Sequence, residues 1–550
     1  MTTVAANSRR MTSEERKVII GSALGTLFEW YDFLIYGSVA GVIAKNFFSS
    51  VGPTYGYIFA LLGFGAGFII RPIGAIVFGR LGDKYGRKKT FLLTIILMGF
   101  ATFCTGLLPT YRDVGMIAPA LLITLRMVQG LALGGEYGGA VTYVAEHSPP
   151  DKRGLYTAWI QTTGTAGMVL ALVVVTSSIH FSGDRFESWG WRLPFIVSIF
   201  MLLISLYIRL SLKESPVFLA MKASGRESKA PFWEAFGQWK HLRLILLAIF
   251  GMCAGQTVLY YTSAFFPIFF LTQALRVDPT TSNILVISAL VLCCPFFVIF
   301  GWLSDRIGRK PVLLAGLIIP AATLFPIYKG IAEAANPSLA KALASAPVVL
   351  SADLSNCSLM LNPTGNKKFT SSCDVAKLAL SRASVNFAMS DRPGSPNGTI
   401  SVGDRSIESV NLAGMNEPMA KDKTRQLDES LKTELARAGY PQRTTTAEMN
   451  IPAVFGLLLV LAIYATVSYS VMGIILVEMF PARIRYTSLS VPYHISTGWF
   501  GGLQPSISFA LIAERGNLYA GLWYPVAVAA VTIIIGAVWL KETRHNHIEI

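Results

Sequence analysis

The stretch "GTLFEWYDFLIYG" (25–37) places Glu29 and Asp32 inside an apolar run long enough to cross a bilayer. An ionised carboxylate in hydrocarbon costs about 2.5 kcal/mol or more on insertion scales, so such acids are expected to be paired and functional. Glu29, Asp32 and Tyr36 recur at three- and four-residue spacing, which puts them on one helix face. A later run carries Arg126, Gln129, Leu133, Glu136 and Tyr137 on one face. Arg126 does not readily lose its proton and needs a carboxylate partner, Asp32 or Glu29. A carboxylate-bearing solute could grip the same guanidinium bidentately, and the displaced acid would then take up a proton. These residue types therefore predict an exchange of a proton against an anionic group. Proton coupling is assigned to Asp32, Glu29, Arg126 and Glu136, although Glu136 lies nearer the end of its run and could serve a gate. Arg71, beside Pro72, reads as a structural brace or a further site residue. Substrate contacts are assigned to Arg126, Tyr36, Gln129, Tyr137, Gln161, Gln256, Tyr260, Tyr464 and His494. The neutral members of this set could equally be hydrogen-bonded packing residues between helices.

The elements that must hold these residues follow from composition. The chain has 550 residues, 53% hydrophobic and 14% charged, against about 25% charged in soluble proteins. Apolar runs of about 20 residues, the length of a bilayer-crossing helix, recur along it. Twelve spans are predicted at about 18–40, 55–79, 90–108, 115–143, 156–180, 190–210, 243–272, 282–303, 311–330, 451–475, 488–512 and 518–539. Basic residues gather after the even spans: Lys84, Arg87, Lys88 and Lys89; Lys152 and Arg153; Lys213 through Arg243; Arg306, Arg309 and Lys310; Arg483 and Arg485. The opposite loops hold few, such as Lys45, Arg112, Arg185 and Arg276. This positive-inside pattern predicts cytoplasmic termini and accounts for the net charge of +15 without nucleic acid. The polar residues 1–17 lack the apolar core of a secretory signal and read as a cytoplasmic tail.

The sequence repeats. "GRLGDKYGRKK" (79–89) matches "GWLSDRIGRKP" (301–311), "AEHSPPDKRG" (145–154) resembles "VEMFPARIRY" (477–486), and "LKES" (212–215) matches "LKET" (540–543). Two six-helix halves are therefore related by repetition, and the growing offset requires an insertion in the second half. The polar stretch 331–450 fits it, reading as loop-rich with a helix near 416–438 on the extracytoplasmic side. Of six cysteines, Cys104, Cys253, Cys293 and Cys294 fall in spans and read as packing residues. Cys357 and Cys373 fall in the insertion, where a disulfide is expected and would add roughly 3 kcal/mol.

The paired "G-x-L-[GS]-D-[KR]-x-G-R-K" loops resemble those of the major facilitator superfamily. "GTLFEWYDFLIYG", "RPIGAIVFGRLGDKYGRKKT" and "RMVQGLALGGEYGGAVTYVAEHSPPDKRG" are similar to the metabolite:H+ symporter family, which includes shikimate, α-ketoglutarate, citrate and proline/betaine carriers. The resemblance implies an all-α polytopic membrane protein with the major facilitator fold: a tail (1–17), an N-terminal half (18–210), a central cytoplasmic loop (211–242), a C-terminal half (243–330 and 451–540), a periplasmic insertion (331–450) between helices nine and ten, and a C-terminal tail (541–550). It also implies a cytoplasmic latch of Asp83, Arg87 and Glu146, mirrored by Asp305, Arg309 and Glu478. The expected function is proton-coupled uptake of a small organic acid across a bacterial inner membrane. The alternatives are a betaine or proline zwitterion carrier, or a receptor that binds ligand through the insertion. The chain lacks a G-x-x-x-x-G-K-[ST] nucleotide cradle, clustered metal spacing and a nucleophile motif, so no enzyme activity, metal or cofactor is expected. The expected partners are the small-molecule substrate, protons and the lipid bilayer, with the chain working as a monomer.

Overall fold

The apolar runs form helices because a chain crossing hydrocarbon must satisfy its backbone hydrogen bonds within itself, and some of them are also capped at their starts. Asp278 accepts the N–H of Thr281 at 2.9 Å ahead of Pro279, and Asn450 accepts that of Ala453 at 3.2 Å ahead of Pro452. Gly86 (φ +114°) and Gly308 (φ +107°) each end one membrane helix and open the next, in a conformation side-chain-bearing residues rarely adopt. The computed structural model describes residues 13–48, 53–211, 214–225, 228, 230–358, 369–383, 385–441, 444, 446–546 and 548. Most of the predicted N-terminal tail, residues 1–12, lies outside the described residues.

In chain order the membrane helices are Ser13–Ser38, Pro53–Tyr85, Arg87–Leu107, Ile117–His147, Arg153–Ser182 and Leu193–Leu210. The second half holds Trp239–Ala248 continuing to Phe266–Phe269, Pro279–Ile307, Arg309–Ala335, Ile451–Met479, Arg485–Ile495 continuing to Gln504–Arg515, and Trp523–Trp539. They are called spans one to twelve below. Nine helical segments among the described residues are long and apolar enough to cross a membrane, and Thr26–Ser38 with Ala40–Phe47, bent by 62°, makes a tenth. Span two and the broken span eleven complete the set.

Spans two and four cross closely because glycine faces glycine: a Cβ on Gly130 would lie 2.7 Å from the Gly67 Cα. That approach brings Arg126 and Gln129 beside Phe68 and Arg71. Spans seven and eleven are irregular, with π-helical turns at Ile249–Cys253, Phe270–Ala274 and Ser496–Gly501. Such turns often mark functional sites. The central loop is partly helical, at Pro216–Ala223 and Pro231–Phe236.

The insertion corrects one sequence expectation, that it is loop-rich, and adds a small sheet to a fold that is otherwise helical. It folds around a four-stranded sheet of order β2-β1-β3-β4, with β1 Val348–Ala352, β2 Phe387–Asp391, β3 Thr399–Val402 and β4 Arg405–Glu408. β1 and β2 are parallel, joined through the helix Ser372–Arg382; β3 is antiparallel to both β1 and β4. Strands of four or five residues carry little periodic signal, and their stability comes from non-local pairing. The expected helix near 416–438 is present as Glu417–Arg437, burying Leu427, Leu431 and Leu435 at four-residue spacing. Cys357 and Cys373 are bonded, with Cα atoms 5.3 Å apart.

Candidate functional site

Spans one, two, three and four bring a buried charged group together. The Asp32 Oδ2 lies 3.2 Å from Arg126 Nη1, while its Oδ1 accepts from Thr102 Oγ1 at 3.0 Å and Gln129 Nε2 at 3.1 Å. Gln129 Nε2 also donates to Thr102 Oγ1 at 2.8 Å. Glu29 Oε1 lies 3.4 Å from Arg71 Nη1. Arg126 rests over the Tyr36 ring at 4.0 Å and Arg71 over Phe68 at 4.3 Å. All four charged side chains are buried, so each charge needs its partner to be tolerated. Arg126 keeps Nε and Nη2 without a hydrogen-bond partner, as does Arg71 with Nε. The cavity between these residues is about 20 Å³, room for one water molecule. Admitting a solute therefore requires the surrounding helices to move.

An aromatic cluster lies between the halves. Tyr137 stacks on Tyr493 at 3.7 Å, Tyr493 shares a hydroxyl hydrogen bond with Tyr469 at 3.0 Å, and Tyr469 packs on Tyr260 at 4.6 Å. Trp30 reaches Tyr260 at 6.1 Å and stacks on Phe265 at 5.6 Å. Gln161 donates to the Tyr137 hydroxyl at 2.9 Å. Gln161 Oε1, Gln256 Nε2 and both ring nitrogens of His494 are buried without a partner.

Two assigned residues are not brought into this group. Glu136 lies about two helical turns from Gln129. Its Oε1 takes Arg209 Nη2 at 2.5 Å, and its Oε2 takes Thr94 Oγ1 at 2.9 Å. Arg209 is further held by the carbonyls of Gly21 and Phe91 and lies over the Phe91 ring at 3.5 Å. That is a buried interhelical ion pair, separate from the Asp32–Arg126 and Glu29–Arg71 pairs. Tyr464 hydrogen-bonds Thr323 of span nine at 3.2 Å, which makes it a tie between spans nine and ten. Sequence reasoning missed Arg209, although it lies within the predicted sixth span, as well as Thr102 and Tyr493.

At the basic-loop side the two halves are joined by a doubled motif. Asp83 accepts the backbone N–H groups of Tyr486 (3.2 Å) and Thr487 (2.9 Å) and the Thr487 hydroxyl (2.7 Å). It thus caps the first turn of span eleven from the other half. Asp305 does the same for span five, accepting from Gly154 N at 2.9 Å and Leu155 N at 2.8 Å. Arg87 donates to the Ala482 carbonyl at 2.7 Å, and its Nε lies 3.8 Å from Glu146. Arg309 bridges Asp305 at 2.6 Å and Glu478 at 3.3 Å. Arg485, absent from the sequence assignment, pairs with Glu146 across the halves at 2.7 Å. It stands seven residues after Glu478, as Arg153 stands after Glu146, so the repeat held the signal.

The symmetry reaches the helix caps. Glu214 accepts the N–H groups of Arg87 and Lys88 at 3.0 and 3.2 Å; Glu542 accepts those of Arg309 and Lys310 at 2.9 and 3.0 Å. Burial opposes the Glu542 charge, but the backbone N–H groups of Arg309, Arg544, Lys310 and Thr543 hold its carboxyl below the usual value.

Comparison with known proteins agrees with this architecture. The family model described as "Sugar (and other) transporter" matches residues 18–232 and 435–550. The proline/betaine transporter of Salmonella typhimurium is 38% identical over 323 residues, covering 57% of this chain and 64% of that protein. The shikimate transporter of Escherichia coli K12 is 35% identical over 322 residues, covering 58% of this chain and 72% of that one. The chain thus spans just under two thirds of the proline/betaine relative and more of the shikimate one. Among solved structures, the major facilitator superfamily proton:xylose symporter XylE superposes with a TM-score of 0.60 at 16% identity, over 96% of this chain and 97% of that one. This last likeness is one of fold. Matched on both sides of its insertion by one family model, this chain, a twelve-span bundle of two repeated halves with the major facilitator fold, belongs to the sugar (and other) transporter family.

Proposed function

We propose that the chain is a secondary active symporter of a bacterial inner membrane, taking up a small carboxylate-bearing solute with a proton by alternating access. In this reading the basic-loop side is cytoplasmic and the insertion is periplasmic. The observation that carries it is Arg126, held by Asp32 on one nitrogen and unpartnered along its Nε–Nη2 edge. Two parallel N–H groups at such an edge fit one carboxylate. Glu29, Asp32, Arg71 and Arg126 sum to zero charge, so a cargo carboxylate bound at Arg126, with any ammonium group of the cargo held apart from these four, leaves the group at −1. One proton on Asp32 or Glu29 restores neutrality, so cargo and proton bind together. The Asp83 and Asp305 caps hold the cytoplasmic side shut and release as the halves rock.

The far end of the cargo meets the aromatic cluster. The middle of spans seven to twelve carries no Lys or Arg among the described residues, and Arg71 of the other half is already paired with Glu29, so a second carboxylate would find no unpaired cation there. Aromatic faces attract quaternary ammonium groups. A zwitterion of the betaine or proline type is therefore favoured over di- and tricarboxylates, and the names of the proline/betaine relatives agree with it. A hydroxylated monocarboxylate is the second reading, favoured by the unpartnered polar atoms of Gln161, Gln256 and His494 and by the name of the shikimate relative.

Flux into proteoliposomes tests the proposal with glycine betaine, proline, shikimate and citrate under an imposed pH gradient. Acid outside is expected to accelerate uptake of one of the first three and leave citrate unmoved. Flux itself separates a carrier from a receptor. Uphill accumulation that survives in the Glu29→Gln/Asp32→Asn variant would refute the coupling.

A further inference from the structure

The insertion is fastened to the second half at the outer ends of spans seven and eleven. Phe387 N donates to the Gly516 carbonyl at 2.7 Å, Leu518 N to Asn386 Oδ1 at 2.7 Å, and the buried Lys377 pairs with Glu514 at 3.0 Å. Arg276, in the turn between spans seven and eight, donates to the Pro441 carbonyl and accepts from Thr444 N at 3.3 Å. Between these fastenings a crevice of about 1160 Å³ remains, far larger than the cavity of about 20 Å³ beside Arg126. One wall belongs to the membrane half and the other to the insertion.

We propose that this crevice is a second solute site, for a small anion bearing a carboxylate or phosphate group. Three cations from three separate elements line it: Arg276 of the turn, Arg382 at the end of the Ser372–Arg382 helix, and Lys432 of the Glu417–Arg437 helix. Two acids also line it, and both are engaged. Asp278 accepts the N–H of Thr281 at 2.9 Å, and Asp428 pairs with Arg382 at 3.0 Å. The balance is one positive charge. Lys432 is exposed, and a solute anion there would add a counter-charge beside it. Arg276 holds a left-handed backbone (φ +58°), unusual for a residue with a side chain, and its position is fixed by the insertion. Leu431, Leu435 and Tyr440 supply an apolar wall for the body of an organic anion. Thr272, within the terminal π-turn of span seven, also lines the crevice, so occupancy touches a helix of the transport half. The site exists only while the insertion is docked, and it stands whether or not the central site carries the cargo proposed above.

The test is calorimetric titration of the full chain in nanodiscs with succinate and, separately, inorganic phosphate. Three proteins are compared: the unaltered chain, Lys432→Glu, and Lys421→Glu, the last an exposed reversal of the same net charge on the same helix outside the crevice. Saturable binding is expected in the unaltered chain and in Lys421→Glu, weakened about tenfold in Lys432→Glu, and falling as salt rises. Binding of succinate alone or phosphate alone supports the site and names its ligand class. No saturable binding of either probe, or equal binding in the two charge reversals, overturns it. Both substitutions are at exposed positions, so folding survives in each, and the central site is untouched.

Discussion

Replacing Asp83 by Asn should open the latch without removing the side chain. Asp83 is fully buried and accepts three hydrogen bonds from Tyr486 and Thr487 of the other half. Asn offers one acceptor oxygen, and its amide would point N–H groups at N–H groups. A hydrogen bond to a charged group contributes about 1.5–3 kcal/mol, and the lost charge at the start of span eleven removes about 0.3–1 kcal/mol more. Arg87 keeps the Ala482 carbonyl and Glu146, so its own loss is partial. The closed arrangement is then destabilised by about 2–4 kcal/mol relative to the open one, a shift of about 30- to 900-fold in their ratio. Spin labels at Tyr85 and Ile307, exposed at the ends of spans two and eight, read this directly in a chain freed of its four unbonded cysteines. Double electron–electron resonance should reveal a longer-distance population in Asp83→Asn, together with slower uptake. Asp305→Asn should behave alike, because it caps span five by the mirrored geometry. An unchanged distance distribution with unchanged flux, in correctly inserted protein, would refute the latch.

Glu136→Gln should strip Arg209 of its charge partner and cost about 3–5 kcal/mol, lowering the melting temperature. Stimulation by a pH gradient, per folded molecule, should stay unchanged; a stable variant that has lost that stimulation would return Glu136 to the proton path. Tyr493→Leu removes one face of the aromatic cluster and should raise the KM for glycine betaine by about 2- to 30-fold, the range of a cation–π contact. Little change is expected for shikimate, and equal effects on both solutes would count against an ammonium subsite. Glu542→Gln should lower thermal stability near neutral pH. The Glu542 carboxyl is held below its ordinary value of 4.5, so its stabilisation is present above that pH and is lost as pH falls through the lower folded value. The gap between the two melting curves should therefore close on acidification, and a gap constant with pH would contradict it.

The buried charged residues are readable in part. Glu29, Asp32, Arg71 and Arg126 stand out because each is an ionisable group in an apolar run, and the structure does join them in two pairs. The same rule assigned Glu136 to the group, and the structure pairs it instead with Arg209. Nothing in span four alone says that Glu136 turns toward Arg209 while Arg126 turns toward Asp32. Tyr464 shows the same limit, since its spacing is compatible with a pocket but its rotation sends it to Thr323. The insertion was mistaken for loops because β1 to β4 are short and separated by polar turns, whereas the long Glu417–Arg437 helix was legible from its own period.

By itself the sequence determined the spans, the doubling of the halves, the insertion between spans nine and ten, and the Asp–Arg loops. These are properties of length, hydropathy and repetition, which a chain carries locally and in one dimension. Only the tertiary structure decided the partners. Asp83 meets Thr487, Glu146 meets Arg485 and Lys377 meets Glu514 across hundreds of residues in the first two pairs and more than a hundred in the third. Such meetings depend on how each helix is rotated and how closely its glycines let it approach its neighbour. That information arises when the helices pack together, because packing fixes both rotation and separation at once.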